Sequence, residues 1–140
     1  MKKLFIDSGP IIARINDKDP DHQLVQKQLR DIKDKRLDFG FLYTTNYIID
    51  EAVTHVLYST KRHDMAVKVL DLVESSGIIH VLWIDRDVEK RAREIFRKYA
   101  DQRFSLTDCT SFAIMEQNEI THAFTFDEQH FKAMHFSVIP

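Results

Sequence analysis

Short apolar runs alternate along the chain with longer segments in which apolar residues recur every three or four positions. Leu4-Phe5-Ile6, Phe39 to Tyr43, Ile78 to Ile84, Ala123 to Phe126 and Phe136 to Ile139 have the length and the β-branched or aromatic character of buried strands. Between them the period becomes helical. Ile11, Ile12 and Ala13 follow Pro10, a residue suited to a helix start. Asp19-Pro20 opens a segment with Leu24, Val25, Leu29 and Ile32 on one face. Thr44 or Thr45 can cap a helix whose apolar arc is Ile48, Ile49, Ala52, Val53, Val56 and Leu57. A helix from about Asp64 carries Ala66, Val69, Leu70 and Val73 and ends towards Gly77. Val88, Ala92, Ile95, Phe96 and Tyr99 mark another. Ser105-Leu106-Thr107-Asp108 has the form of a capping box opening a helix to about Gln117, and Glu128 to Ala133 is a short last one.

Strands that alternate with helices pair in parallel through right-handed crossovers. Runs that are apolar throughout suit a sheet covered on both faces. The chain therefore reads as α/β, with a parallel sheet of about five strands. In such open sheets, sites lie beyond the carboxyl ends of the strands. Asp7 directly follows the first strand, ahead of the turn signal Ser8-Gly9-Pro10, and Asp127 directly follows the fourth. Glu51 lies about two turns into the helix after the second strand. Asp108 opens the helix that precedes the fourth strand, and topology alone does not bring it to the same edge.

The 140 residues suit a single domain, spanning 1–140, with a core of its own. A 44% hydrophobic fraction and ten Phe exclude a disordered chain. Twenty basic and 22 acidic residues leave a net charge of −2, so no global field recommends or excludes nucleic acid; a nuclease needs only a local basic rim. Cys109 is the only cysteine, which rules out an internal disulfide and points to a reducing cytoplasm. Lys2-Lys3 before Leu4-Phe5-Ile6 has the look of a signal peptide, but the apolar run stops at Asp7. No stretch reaches the length that spans a membrane.

Four acids thus stand out: Asp7, Glu51, Asp108 and Asp127. Carboxylates gathered in a small volume repel one another strongly, and a hard divalent cation is the natural compensation. Each acid also has a plainer reading. Asp7 can cap the turn into Pro10, Asp108 can be the acidic member of its capping box, and Asp127 can cap the last helix. Glu51 lies inside a helix, where no cap explains it. Its neighbour Asp50 is equally placed: both lie about 130° from the centre of the apolar arc, on opposite sides, so the helical wheel does not choose between them.

Taken in order, Asp7-Ser8 after a strand, Thr44-Thr45-Asn46 followed by Glu51, Ser105-Leu106-Thr107-Asp108-Cys109-Thr110-Ser111-Phe112, and Phe124-Thr125-Phe126-Asp127-Glu128-Gln129-His130-Phe131 resemble the PIN domain family, most nearly its VapC-type toxins. The resemblance spans essentially the whole chain. It implies a three-layer α/β/α sandwich around a parallel sheet and a Mg²⁺- or Mn²⁺-dependent ribonuclease. It maps the metal-site acids to Asp7, Glu51, Asp108 and Asp127, choosing Glu51 over Asp50, and the supporting hydroxyls to Ser8 and Thr107. An RNA substrate, a protein antitoxin and a homodimer, with Tyr43, Tyr47 and Tyr58 as a candidate patch, come with it. The chain departs from the family pattern after the first acid, where Ser8-Gly9-Pro10 keeps the hydroxyl but stiffens the turn.

Other residues weigh less. Seven His residues show no H-E-x-x-H motif and no Cys/His pairing, so oxygen ligands favour Mg²⁺ or Mn²⁺ over Zn²⁺. His130, three residues beyond Asp127, can lie near the site, but a single His on a short helix more often is a surface or packing residue. Arg86, Lys90, Arg91, Arg93, Arg97, Lys98 and Arg103 can steer a polyanion but equally form the solvated face of a helix. Lys61-Arg62-His63 stands in the same position. Cys109 reads as a small packing residue. Two competing functions remain: a catalytically silent PIN-like module that binds RNA or protein, and a phosphoryl-transfer domain. The latter lacks its Asp-x-Asp-x-Thr motif at Asp7-Ser8-Gly9-Pro10.

Overall fold

The computed structural model describes residues 1–139. They form β1 (Lys2–Ile6), α1 (Ser8–Ile15), α2 (His22–Lys33), β2 (Phe39–Thr45), α3 (Asn46–Thr60), α4 (His63–Ser75), β3 (Ile79–Leu82), α5 (Arg86–Lys98), α6 (Leu106–Gln117), β4 (His122–Phe124), α7 (Glu128–Ala133) and β5 (Ser137–Ile139). All neighbouring strands are parallel, in the order β3-β2-β1-β4-β5. In β1 the consecutive residues Leu4, Phe5 and Ile6 are at most 1% exposed. Successive strand residues point to opposite faces, so helices must cover both sides of the sheet's centre. The core gathers β1, β4 and the inner faces of α1, α3, α5 and α6.

Strand order places a switch point between β1 and β4. The chain leaves β1 towards β2 on one side and returns to β4 on the other, which opens a crevice at the carboxyl ends of the two central strands. Asp7 and Asp127 flank it.

Several local expectations are corrected. Ser8-Gly9-Pro10 is the first turn of α1 rather than a turn before it, because the Asp7 carboxylate caps the helix by accepting from the Ser8 amide at 2.8 Å. Proline is tolerated there, since first-turn amides have no helical partner. Gly9 allows a close approach: a Cβ at that position would stand 3.0 Å from the Phe126 ring, which would have to shift by a few tenths of an ångström. The third strand is Ile79–Leu82, shorter than Ile78 to Ile84, and it is a sheet edge with Val81 and Trp83 exposed. Its end is set where the Ile84 amide donates to Asn46 Oδ1 at 2.7 Å, turning the chain towards α5. The fourth strand stops at Phe124, before Thr125, whose hydroxyl is committed elsewhere. Tyr43 lies in β2 and packs on the core, leaving Tyr58 as the exposed tyrosine of the three noted above.

Candidate active site

Asp7 is built in by both elements that flank it. Its amide donates to the Phe124 carbonyl at 3.0 Å, continuing the β1–β4 ladder by one residue. One carboxylate oxygen takes the Ser8 amide and the other takes the Thr125 hydroxyl at 2.7 Å. The side chain is buried, and no cation pairs with it among the described residues. Burial is the chief reason its pKa is pushed up to about 6. Thr125 and Ser8 oppose this, while Asp108 and Glu51 add to it by like-charge repulsion.

Thr125 joins two of the acids. Besides donating to Asp7, its hydroxyl accepts from the Asp127 amide at 3.0 Å. Ser8 links a third, donating to Glu51 Oε1 at 2.5 Å. Glu51 and Asp50 both line an open groove of about 470 Å³ with Tyr47 and Thr107. Only Glu51 takes the hydroxyl beside Asp7, a distinction the helical wheel did not make.

Asp108 sits at the start of α6 inside a complete capping box. Ser105 Oγ accepts from the Asp108 amide at 2.9 Å, and the Asp108 carboxylate accepts from the Ser105 amide at 3.0 Å. The plainer reading of Asp108 as a cap is therefore correct as far as it goes. The same carboxylate also lies 3.5 Å from His130 Nδ1, and His130 Nδ1 lies 2.8 Å from Asp127 Oδ2. Burial raises the pKa of Asp108 most, the Ser105 amide opposes that, Asp127 raises it further and His130 lowers it. Asp127 does not cap α7 with its side chain, so that reading fails.

The four acids consequently form two linked groups at one sheet edge. Asp7 and Glu51 are joined through Ser8; Asp108 and Asp127 are joined through His130; Thr125 ties the groups together. Potential ligand atoms of Asp108, Asp127 and His130 all lie within 4.8 Å of one another. The donor set is oxygen-rich with one imidazole. Its carboxylates repel one another and have no Lys or Arg partner among the described residues, which suits a hard divalent cation.

Sequence reasoning gave His130 too little weight and missed Thr125. His130 is not a mere surface residue: its side chain is 26% exposed, its ring stands edge-on to Phe104 at 5.3 Å, and it bridges two acids. Thr125 carried a signal that went unread, a hydroxyl residue between two Phe at the end of a strand, where an apolar residue would otherwise continue the core. Thr107 lines the groove beside Glu51. Cys109 is wholly buried, and burial pushes its thiol up to about 11, in keeping with a packing role. Arg62 is paired with Asp64, and Arg91 with Glu94 and Glu116, in solvent-exposed ion pairs. No helix among the described residues is long and apolar enough to cross a membrane.

Comparison with known proteins bears on the family and the fold. A VapC ribonuclease of Archaeoglobus fulgidus is 32% identical over 80 residues, covering 56% of this chain and 49% of the relative. The 23S rRNA-specific endonuclease VapC20 of Mycobacterium tuberculosis is 27% identical over 84 residues, covering 60% of this chain and 63% of the relative. Matched segments thus span about half to two thirds of these relatives. The crystal structure of M. tuberculosis VapC20, described as a sarcin–ricin loop cleaving toxin, superposes with a TM-score of 0.82 at 25% identity over 95% of each chain. VapBC2 of Rickettsia felis, bound to a promoter DNA fragment, shares the fold at a TM-score of 0.69 and 9% identity over 98% of this chain and 97% of that one. The PIN domain model matches residues 4–136, and with the three-layer sandwich and its acid-lined crevice in place, the chain belongs to the PIN domain family.

Proposed function

We propose that this single PIN domain is a metal-dependent endoribonuclease and the toxin of a toxin–antitoxin pair. The observation that carries the reading is the convergence of Asp7, Glu51, Asp108 and Asp127 from four separate segments on the switch-point crevice. Asp7 and Asp108 would be the main metal ligands, with Glu51 and Asp127 completing the set. His130 contributes a nitrogen, which suits Mn²⁺ better than Mg²⁺. A bound cation of this kind supplies charge neutralisation at the phosphate and makes a nearby water more acidic.

The chain's own residues prepare the site for that chemistry. Ser8 holds Glu51 in place, Thr125 orients Asp7, and the capping box fixes Asp108 on the first turn of α6. In the hydrolysis, water oxygen becomes bonded to phosphorus and the bond to the 3′ oxygen breaks. The products carry 5′-phosphate and 3′-hydroxyl ends. The likeness to VapC20 supports structured RNA as substrate, and a protein antitoxin as partner belongs to the same reading. A homodimer and a cytoplasmic location belong to the same reading.

The test is cleavage of end-labelled single-stranded and stem–loop RNA with Mg²⁺ or Mn²⁺, beside EDTA and Asp108→Asn. Asparagine can still accept from the Ser105 amide, so the cap survives. Cutting that both controls abolish supports the proposal. A folded protein that cuts neither RNA with either metal would sink it in favour of a silent binding module.

A further inference from the structure

Beside the acidic crevice lies a second groove of about 790 Å³, formed by the end of β3 and the outer face of α5. Arg86, Lys90, Arg93 and Arg97 line it at spacings of four, three and four residues, which places them on one helical stripe. That stripe is opposite the buried stripe of Val88, Ala92 and Ile95 and runs for about 16 Å. Three acids share the groove, but each is engaged. Glu89 takes the Tyr47 hydroxyl and Arg93, Glu94 takes Arg91, and Asp85 caps α5. Arg86, Lys90 and Arg97 have no side-chain partner among the described residues, so their charge is free for a ligand.

At the head of the stripe stands Trp83, the only tryptophan of the chain and 69% exposed. A large ring left in water beside unpaired cations matches the two needs of a single-stranded nucleic acid, a stacking platform and a phosphate track. The two grooves meet at one side-chain contact. Tyr47 lines the crevice with Glu51 and Thr107, while its hydroxyl donates at 2.7 Å to Glu89 in the basic groove.

The geometry points to an RNA-binding extension of the site, in which Trp83 stacks on an unpaired base and Arg86, Lys90 and Arg97 hold the backbone leading to the crevice. This rests on the ribonuclease reading for its purpose but not for its test. The sole tryptophan is a built-in reporter. Wild-type protein in EDTA, where no cutting occurs, is titrated with a fluorescein-labelled twelve-nucleotide single-stranded RNA. Tryptophan emission and label anisotropy are followed across salt concentrations. RNA binding should quench Trp83. Trp83→Ala should weaken binding about tenfold. The combined variant Arg86→Gln, Lys90→Gln, Arg97→Gln should lower the log–log salt slope by about 2. Thermal unfolding confirms that the variants remain folded.

RNA that binds without quenching, or that binds the combined variant with an unchanged slope, overturns the inference; so does absence of binding at low salt. If the variants instead lose affinity only for an acidic polypeptide, the groove belongs to a protein partner and the inference again falls. A protein that quenches but never cuts keeps this groove and loses the ribonuclease. One that cuts with a silent Trp83 does the reverse.

Discussion

Replacing Asp7 by asparagine should make the metal-free protein more stable near neutral pH while abolishing cleavage. Asp7 is buried, and folding raises its pKa from 3.8 to about 6. Between those values the native state keeps a proton that the unfolded chain has lost, so stability falls as pH rises through the window and the loss is complete above about 6. At about 1.36 kcal/mol per pH unit, the buried charge costs about 3 kcal/mol at pH 7.5. Asparagine removes that cost. It keeps one oxygen for the Ser8 amide but presents an amide where Thr125 donates, forfeiting about 1 kcal/mol. The net gain is about 2 kcal/mol at pH 7.5, or roughly 4–8 °C in Tm for a chain of this size. At pH 4 the cost nearly vanishes, and the variant should be equal to or slightly less stable than wild type. Urea unfolding in EDTA at the two pH values measures both differences. A variant destabilised equally at pH 4 and 7.5 would refute the argument, because Asp7 would then be anchored by its hydrogen bonds rather than strained by its charge. Adding Mn²⁺ should raise the Tm of the wild type and leave the variant nearly unmoved.

Thr125→Val keeps the shape but removes the hydroxyl between Asp7 and the Asp127 amide; cleavage should drop at least tenfold and stability by about 1–3 kcal/mol, with Thr125→Ser restoring most of both. Equal cleavage by the valine variant would show that Asp7 needs no such support. Phe112→Ala should cost about 3–5 kcal/mol in chemical denaturation, because the ring is fully buried between Phe104 and Phe131. Ser105→Ala should cost about 1 kcal/mol by removing one limb of the capping box, and it should lower cleavage as well, since Asp108 then loses part of its frame. A stability loss with unchanged cleavage would confine the box to a structural role.

Helix and strand order was legible because the apolar period changes from three or four residues to continuous runs at each boundary. Strand ends were less so. They are set here by side chains from distant segments, Asn46 at Ile84 and Thr125 at Asp7, which no local pattern contains. Position in the fold revealed Asp7 and Asp127. Asp108 was more predictable than the sequence argument allowed. A helix that feeds a parallel strand must end at the amino edge of the sheet, so a helix of 12 residues, about 18 Å long, starts at the carboxyl edge. His130 was given too little weight for a different reason. Its value comes from standing between two acids nineteen residues apart in sequence, Asp108 and Asp127, and that proximity exists only after α6 and α7 are folded.

The bond from Thr125 to Asp7 closes a loop of 118 residues. A chain still being synthesised, or one cut short before β4, presents the first acid without its hydroxyl support, without Asp127 and without the central strand pairing that shapes the crevice. On the proposed reading, catalytic competence is therefore withheld until β4 and the segment to Asp127 have emerged. For the proposed toxin, products that end before β4 should then be harmless to the cell that makes them, and an inhibitor synthesised alongside has that interval in which to be ready.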